Sequence, residues 1–352
     1  MQDRLSGLDG LRGIAASAVL VCHIAAAFCF VHGGNVPQWL ASGKFGVQVF
    51  FVLSGFVILM TIERCASPGT FLASRFARLF PAYWAAIAIA AALGLWCPGE
   101  FPNVSSKLVA ANFTMLQRFL GLPPLDWSYW TLPCELVFYF GMLMALWGGG
   151  LRHLERFSLI WISMALFFAS IATHTGENYA QFFAIGISLY RFFRGEATLV
   201  SYAVIVAALV LCAFGNSPAP YDAEPIVYCC VGVFATGAVW IAATRPPRFL
   251  TSRPMLFLGA ISYPLYLVHF RLSYVAIASL QDLPAAVSVA AAAALSIAAA
   301  TLIHKLVERP GSRFFRRVLT GIPRHAFLSQ APDREFTPAL SNPEFAKAPP
   351  AR

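Results

Sequence analysis

The stretch LDGLRGIAASAVLVCHI, Leu8 to Ile24, decides the fold class of this chain. It opens an apolar run that continues to about residue 31. A helix rising 1.5 Å per residue needs about 20 such residues to cross a hydrocarbon layer about 30 Å thick. The run lacks a small-residue cleavage site and is too long for a signal peptide, so it reads as a retained first span. The same rule places spans near 11–31, 44–63, 80–97, 131–148, 157–173, 178–193, 198–214, 226–244, 255–279 and 285–306. Segment 178–193 is short and polar for a span. The expectation is an all-α integral membrane protein of about ten transmembrane helices.

Composition agrees with that class. Of 352 residues, 59% are hydrophobic and 12% charged, an apolar surplus beyond what a soluble core of this size needs. The apolar runs follow one another closely, which suggests a single transmembrane domain over 1–310. Residues 311–352 turn basic and then Pro-rich, a composition that cannot bury enough surface to fold, and read as a disordered cytoplasmic tail. Six cysteines (Cys22, Cys29, Cys134, Cys212, Cys229 and Cys230) lie inside apolar runs without C-x-x-C spacing, so they read as inert thiols and no metal is expected.

A net charge of +9 raises the question of nucleic acid. With a cytoplasmic N-terminus, the inside loops hold Arg64, Arg75, Arg78, Arg152, Arg156, Arg191 and Arg194, then Arg245, Arg248, Arg253, Lys305, Arg309, Arg313, Arg316 and Arg317. Outside stand Lys44, Lys107 and Arg118, and the loop NSPAPYDAEP carries acids and no base. This bias obeys the positive-inside rule with both termini cytoplasmic, so no nucleic-acid partner is needed. The long external loop contains GLPPLDWSYW, whose aromatics are expected to anchor at the membrane interface.

Polar groups inside spans cost about 2.5–3.5 kcal/mol each on insertion scales, so they mark candidate sites. Arg12 and His23 are eleven residues apart. At about 100° per residue they return to within about 20° of one direction, forming a one-faced stripe about 16 Å long. His23 suits a general base toward a hydroxyl or a nucleophile that holds an acyl group; a helix-packing histidine is the plainer reading. In SRFARLFPAYW, Arg75 and Arg78 are spaced i, i+3 and suit phosphate binding, or simple positive-inside anchoring. In DWSYWTLPCELVFYF, Glu135 and Tyr139 are spaced i, i+4, near Asp126 and Trp130. That carboxylate is expected to orient an imidazole or a hydroxyl, although an interfacial carboxylate among aromatic anchors also fits. Ser54 in GVQVFFVLSGFVIL belongs to a small-residue step suited to helix packing. His269 in ISYPLYLVHFR, with Arg271 beside it, suits a group that supports the acceptor or the packing.

Taken together, these stretches resemble the acyltransferase family 3 of membrane O-acyltransferases. LDGLRGIAA with its arginine, ten residues and a histidine, then FFVLSGF, R-x-x-R, WTLPCELVFYF and SYPLYLVH occur in the family's order over about residues 5 to 310. Pro133 and Cys134 depart from the family's usual tryptophan motif. The resemblance implies about ten helices, an acyl-CoA co-substrate, usually acetyl-CoA, and no bound cofactor. It also implies a hydroxyl acceptor on a carbohydrate or lipid-linked glycan at or beyond the far face of a bacterial cytoplasmic membrane. Carried over by position, His23 is the catalytic histidine with Glu135, Arg12, Arg75 and Arg78 serve the donor, and Trp130, Tyr139, Ser54 and His269 support the acceptor side. Two competing readings use the same residues differently. A proton-coupled glycan transporter or flippase would employ His23 and Glu135 as relays, and a membrane anchor would employ none of them. Nothing in the sequence speaks to oligomeric state.

Overall fold

The computed structural model describes residues 5–65, 67–96, 104–148, 158, 179–214 and 224–320. Among these every regular element is helical. We number them α1 (Ser6–His32), α2 (Gly46–Ile62), α3 (Pro68–Trp96), α4 (Ser106–Phe113), α5 (Thr131–Trp147), α6 (Ala180–Phe193), α7 (Leu199–Phe214), α8 (Pro225–Thr244), α9 (Arg253–Ser279), α10 (Ala285–Ile303) and α11 (Arg309–Thr320). A single turn, Gln38–Ala41, and a 3-10 turn, Ser42–Phe45, lead into α2, while the 3-10 turn Trp127–Trp130 leads into α5.

Among the described residues seven helical stretches are long and apolar enough to cross a membrane, and α6 and α7 are shorter apolar helices. Nine of the expected spans coincide with helices, and the tenth, 157–173, lies outside the described residues except for Ser158. The polar look of 178–193 has a structural cause. Helix α6 has 14 residues, about 21 Å of rise, and Ala180 to Tyr190 are buried without a break. It is wrapped by protein, so its side chains were never selected for lipid. The outer helices, by contrast, expose Val206, Val233, Phe234, Leu295 and Leu302, an apolar exterior suited to acyl chains.

The interior is organised by close helix pairs. Helices α1 and α9 run parallel: Gly13 meets Met255 and Gly259, while ten residues on, His23 meets His269. A Cβ on Gly13 would stand 2.7 Å from the Met255 carbonyl oxygen and 2.8 Å from the Gly259 nitrogen. Only a residue without a side chain allows that backbone approach, the usual device for packing helices where no hydrophobic force separates protein from lipid. Helix α2 runs against α1 in the opposite direction, with Gly46 over Ala15, and α2 in turn pairs with α6 through Gly55 and Gly186.

Three sequence expectations need refinement. Residues 311–320, assigned to the tail, are helical as part of α11, where Gly311 packs on Pro81 of α3; residues 321–352 lie outside the described residues. The aromatics of GLPPLDWSYW do not form an outward belt. Trp127 is exposed, whereas Tyr129 is buried against Tyr83 and Trp130 packs on Tyr179. The loop is drawn inward because Asp126 caps the 3-10 turn, Asn112 accepts from the Leu125 N–H, and Arg271 donates to the Leu125 carbonyl. Pro133 is the third residue of α5, within a first turn whose N–H groups need no helical partner, so it starts the helix without bending it.

Candidate functional site

Helices α1, α3 and α9, with the segment after α10, enclose a polar cavity of about 340 Å³ lined by Asp9, Arg12, Arg78, Tyr263, His304, Glu308 and Arg309. A smaller cavity, about 70 Å³, lies deeper, between α2, α5 and α9, and is lined by Ser54, Thr131, Glu135 and Tyr266 among others. Arg12, Arg78, Ser262 and Tyr263 line both. The two chambers therefore meet at a pair of guanidinium groups. Neither Arg12 nor Arg78 makes a hydrogen bond or an ion pair within 4.0 Å among the described residues, so both keep donors for an anion.

Arg75 takes a different place from Arg78. A spacing of three residues leaves two side chains about 60° apart around a helix, and here that angle separates the cavity from the packing face. Arg78 reaches both chambers, but Arg75 is buried, stacked near the rings of Phe71 and Tyr139, and donates through Nε to Ser74 Oγ at 3.2 Å. Tyr139 in turn donates its hydroxyl hydrogen bond to Glu135. Arg75 thus braces the tyrosine that holds the Glu135 carboxylate, and it lines neither chamber.

The histidines lie beyond the deep chamber. His23 Nδ1 and His269 Nε2 are 2.7 Å apart, although 246 residues separate them. His269 Nδ1 faces two carbonyl oxygens, of Tyr266 at 2.8 Å and Leu265 at 3.1 Å. Carbonyls only accept, so Nδ1 of His269 carries its proton and Nε2 bears the lone pair. His23 Nδ1 must then be the donor between the rings, which places the lone pair of His23 on Nε2. The second histidine sets the tautomer of the first.

The chamber connects to this pair through Tyr266. Its hydroxyl accepts from Thr131 Oγ1 at 3.0 Å on the chamber wall, and its ring centroid lies 5.7 Å from that of His269. Phe270 closes the other side of His23, edge-on at 5.2 Å. Polar side chains therefore succeed one another from Arg12 and Arg78 past Glu135 and Tyr266, on the cavity walls, to His269 and His23, which line neither cavity. At the far end of this succession Arg271 is 2% exposed and donates to the Ala90 carbonyl at 2.7 Å, tying α9 to α3.

The stripe expected from Arg12 and His23 is present: both side chains face α9. Ser54 lines the deep chamber while the adjacent Gly55 packs on α6, so the small-residue step serves the chamber and the packing at once. Glu135 is on the chamber wall, and among the described residues its hydrogen-bond partner is Tyr139 rather than an imidazole. Trp130 supports the fold against Tyr179 and lines neither chamber. Sequence reasoning overlooked Tyr263, Tyr266, Thr131, His304, Glu308 and Arg309 as site residues. The SYPLYLVH stretch did carry a signal, since Tyr263, Tyr266 and His269 follow at i, i+3 spacings, each a neighbour of the next on the helix surface. Among the described residues no group of three or more His, Cys, Asp or Glu side chains converges as metal ligands would.

The family described as an acyltransferase domain matches residues 5–305. Acyltransferase MdmB of Streptomyces mycarofaciens is 26% identical over 89% of this chain and 93% of its own length. Exopolysaccharide production protein ExoZ of Rhizobium meliloti is 30% identical over 81% of this chain and 95% of its own length. O-acetyltransferase OatA of Staphylococcus aureus is 26% identical over 76% of this chain, which spans only 50% of that longer protein. No solved structure matches.

Proposed function

From the premise that this chain belongs to the acyltransferase 3 family of membrane acyltransferases, we propose that it transfers an acyl group, most simply acetyl, from acyl-CoA. The donor is used from the cytoplasmic side, and the acceptor is a hydroxyl of a carbohydrate or lipid-linked glycan at or beyond the far face of a bacterial cytoplasmic membrane. The names of ExoZ and OatA support that acceptor class and acetyl as the group. The observation that carries the reading is the succession of polar side chains that begins at two arginines without hydrogen-bond partners among the described residues and leads, beyond the cavities, to a histidine with an oriented lone pair. A topology of ten spans with both termini cytoplasmic fits the parallel alignment of α1 and α9, because an odd number of crossings must intervene between two helices pointing the same way.

In this reading the donor's phosphates stay at the wide chamber with Arg12 and Arg78, since a polyanion cannot enter hydrocarbon. The pantetheine arm passes the arginine pair into the narrow chamber and carries the thioester toward the histidines. His23 Nε2 then acts by one of two routes. As general base it takes the acceptor's hydroxyl proton while that oxygen bonds to the thioester carbonyl carbon, the C–S bond breaks, and the thiolate leaves with the proton. As nucleophile it bonds to the carbonyl carbon itself and the thiolate leaves; the acceptor hydroxyl oxygen later bonds to that carbon, the bond from carbon to Nε2 breaks, and the hydroxyl proton neutralises the thiolate. In both routes positive charge develops on His23, and His269 Nε2 accepts the Nδ1 hydrogen bond that disperses it. A burst of CoA release without acceptor marks the second route.

The reading is tested with purified protein in a bilayer, labelled acetyl-CoA and a glycan acceptor. Wild-type protein is expected to label the acceptor and His23→Ala to abolish labelling; full transfer by His23→Ala would overturn the assignment. Proton-driven glycan movement without label transfer would favour a transporter.

A further inference from the structure

The helix that begins at Ala285 is continuous to Thr320 but not regular. It is α-helical to Ile303, forms a π-turn over His304–Glu308, and resumes at Arg309, whose N–H bonds back to the His304 carbonyl. Pro310 follows, and with no N–H it would leave the Leu306 carbonyl without its helical partner. A π-turn adds one residue to the repeat and so turns everything after it by about 100°. Such turns recur at functional sites.

Here the turn brings three side chains of one helix, His304, Glu308 and Arg309, to the wide chamber opposite Arg12 and Arg78. Their state points to a ligand. His304 Nδ1 donates to Glu308 Oε2 at 2.6 Å, which holds the ring. Its Nε2 is buried and has no hydrogen-bond partner among the described residues. Arg309, like Arg12 and Arg78, forms no hydrogen bond or ion pair among the described residues. Three guanidinium groups against two carboxylates, Asp9 and Glu308, leave this chamber net positive and rich in uncommitted donors.

We propose that the π-turn builds one wall of a nucleotide-phosphate site: Arg309 joins Arg12 and Arg78 in holding the phosphates of the acyl donor, and His304, held by Glu308, presents Nε2 to the same end of the ligand. The proposal rests on the acyl-CoA reading above and extends it to residues outside the motifs that suggested it. It also separates two tasks along the donor. The wide chamber recognises the phosphates, and the narrow one admits only the arm.

The test compares acetyl-CoA with acetyl-pantetheine, which has the same thioester and arm but no phosphates, using the full-length chain in a bilayer. For Arg309→Gln, the KM for acetyl-CoA should rise about tenfold, the loss of one charge-assisted hydrogen bond. Its kcat and its KM for acetyl-pantetheine should match wild type. His304→Ala should shift the same constant in the same direction. Inorganic phosphate should compete with acetyl-CoA in wild type and compete less in Arg309→Gln. If Arg309→Gln does not fold, Arg309→Lys keeps the charge without the planar fork and should give a smaller rise confined to acetyl-CoA. Equal shifts for both donors, or no shift for either, overturn the phosphate site while leaving the acyltransferase reading intact. A wild-type chain that uses neither donor overturns both.

Discussion

Replacing His269 with leucine removes the acceptor that the His23 Nδ1 proton has among the described residues. His269 is 1% exposed, and its Nε2 lies 2.7 Å from that nitrogen, so water is poorly placed to substitute. A buried donor left unpaired costs about 1–3 kcal/mol, and a hydrogen bond to a group that becomes charged is worth about 1.5–3 kcal/mol. The second quantity is the one that bears on rate, because His23 gains its charge only as the reaction proceeds. At 1.36 kcal/mol per factor of ten, kcat should fall about ten- to hundredfold. Since His269 lines neither chamber, the KM for acyl-CoA should stay within about twofold of wild type, on the logic that only transition-state contacts are lost. His269→Gln supplies an amide oxygen that can accept from Nδ1 and should recover part of kcat. The assay is steady-state transfer of labelled acetyl groups by both variants, alongside their thermal melts. If His269→Leu keeps wild-type kcat, or if glutamine is no better than leucine at equal stability, His269 only packs and the tautomer argument fails.

The two arginines of R-x-x-R should separate experimentally. Arg78→Ala should weaken CoA-dependent thermal stabilisation about tenfold in affinity with an unchanged ligand-free melt, whereas Arg75→Ala should lower the melt by about 2 kcal/mol through lost stacking and a void beside Tyr139. Identical behaviour of the two variants would contradict their placement on different faces. Gly13→Ala forces backbone apart at the α1–α9 contact and should destabilise by about 1–3 kcal/mol; because the same contact aligns His23 with His269, the surviving folded fraction should also show reduced kcat. For orientation, Lys107→Cys should react with a membrane-impermeant thiol reagent added outside intact cells and Arg313→Cys should not; the reverse pattern would invert the topology.

Much of the fold is legible in the chain because its cause is local. Apolar length predicts where helices cross, and the 100° step per residue puts Arg12 and His23 on one face, as found. The same local logic finds α6 but not why it is short, which follows from its place inside the protein, and it misjudges the start of the expected tail, where α11 docks on α3 through Gly311 and Pro81. Arg75 and Arg78 show the limit of spacing: i, i+3 places two side chains near each other without saying which looks into a cavity and which packs against Tyr139.

By itself, then, the sequence determined that this protein is a bundle of membrane helices, that its first helix carries a polar stripe, and that its ordered motifs resemble a family of acyltransferases. Those properties depend on hydrophobic length and helical period, which act within one segment. The tertiary structure decided which groups meet. The His23–His269 pair joins residues 246 positions apart, and it exists because Gly13 and Gly259 let α1 and α9 touch at their backbones. The wide chamber likewise draws on four helices, α1, α3, α9 and α11, and a π-turn. Contacts of that range follow from how whole helix surfaces fit together, and no spacing within a single helix encodes them.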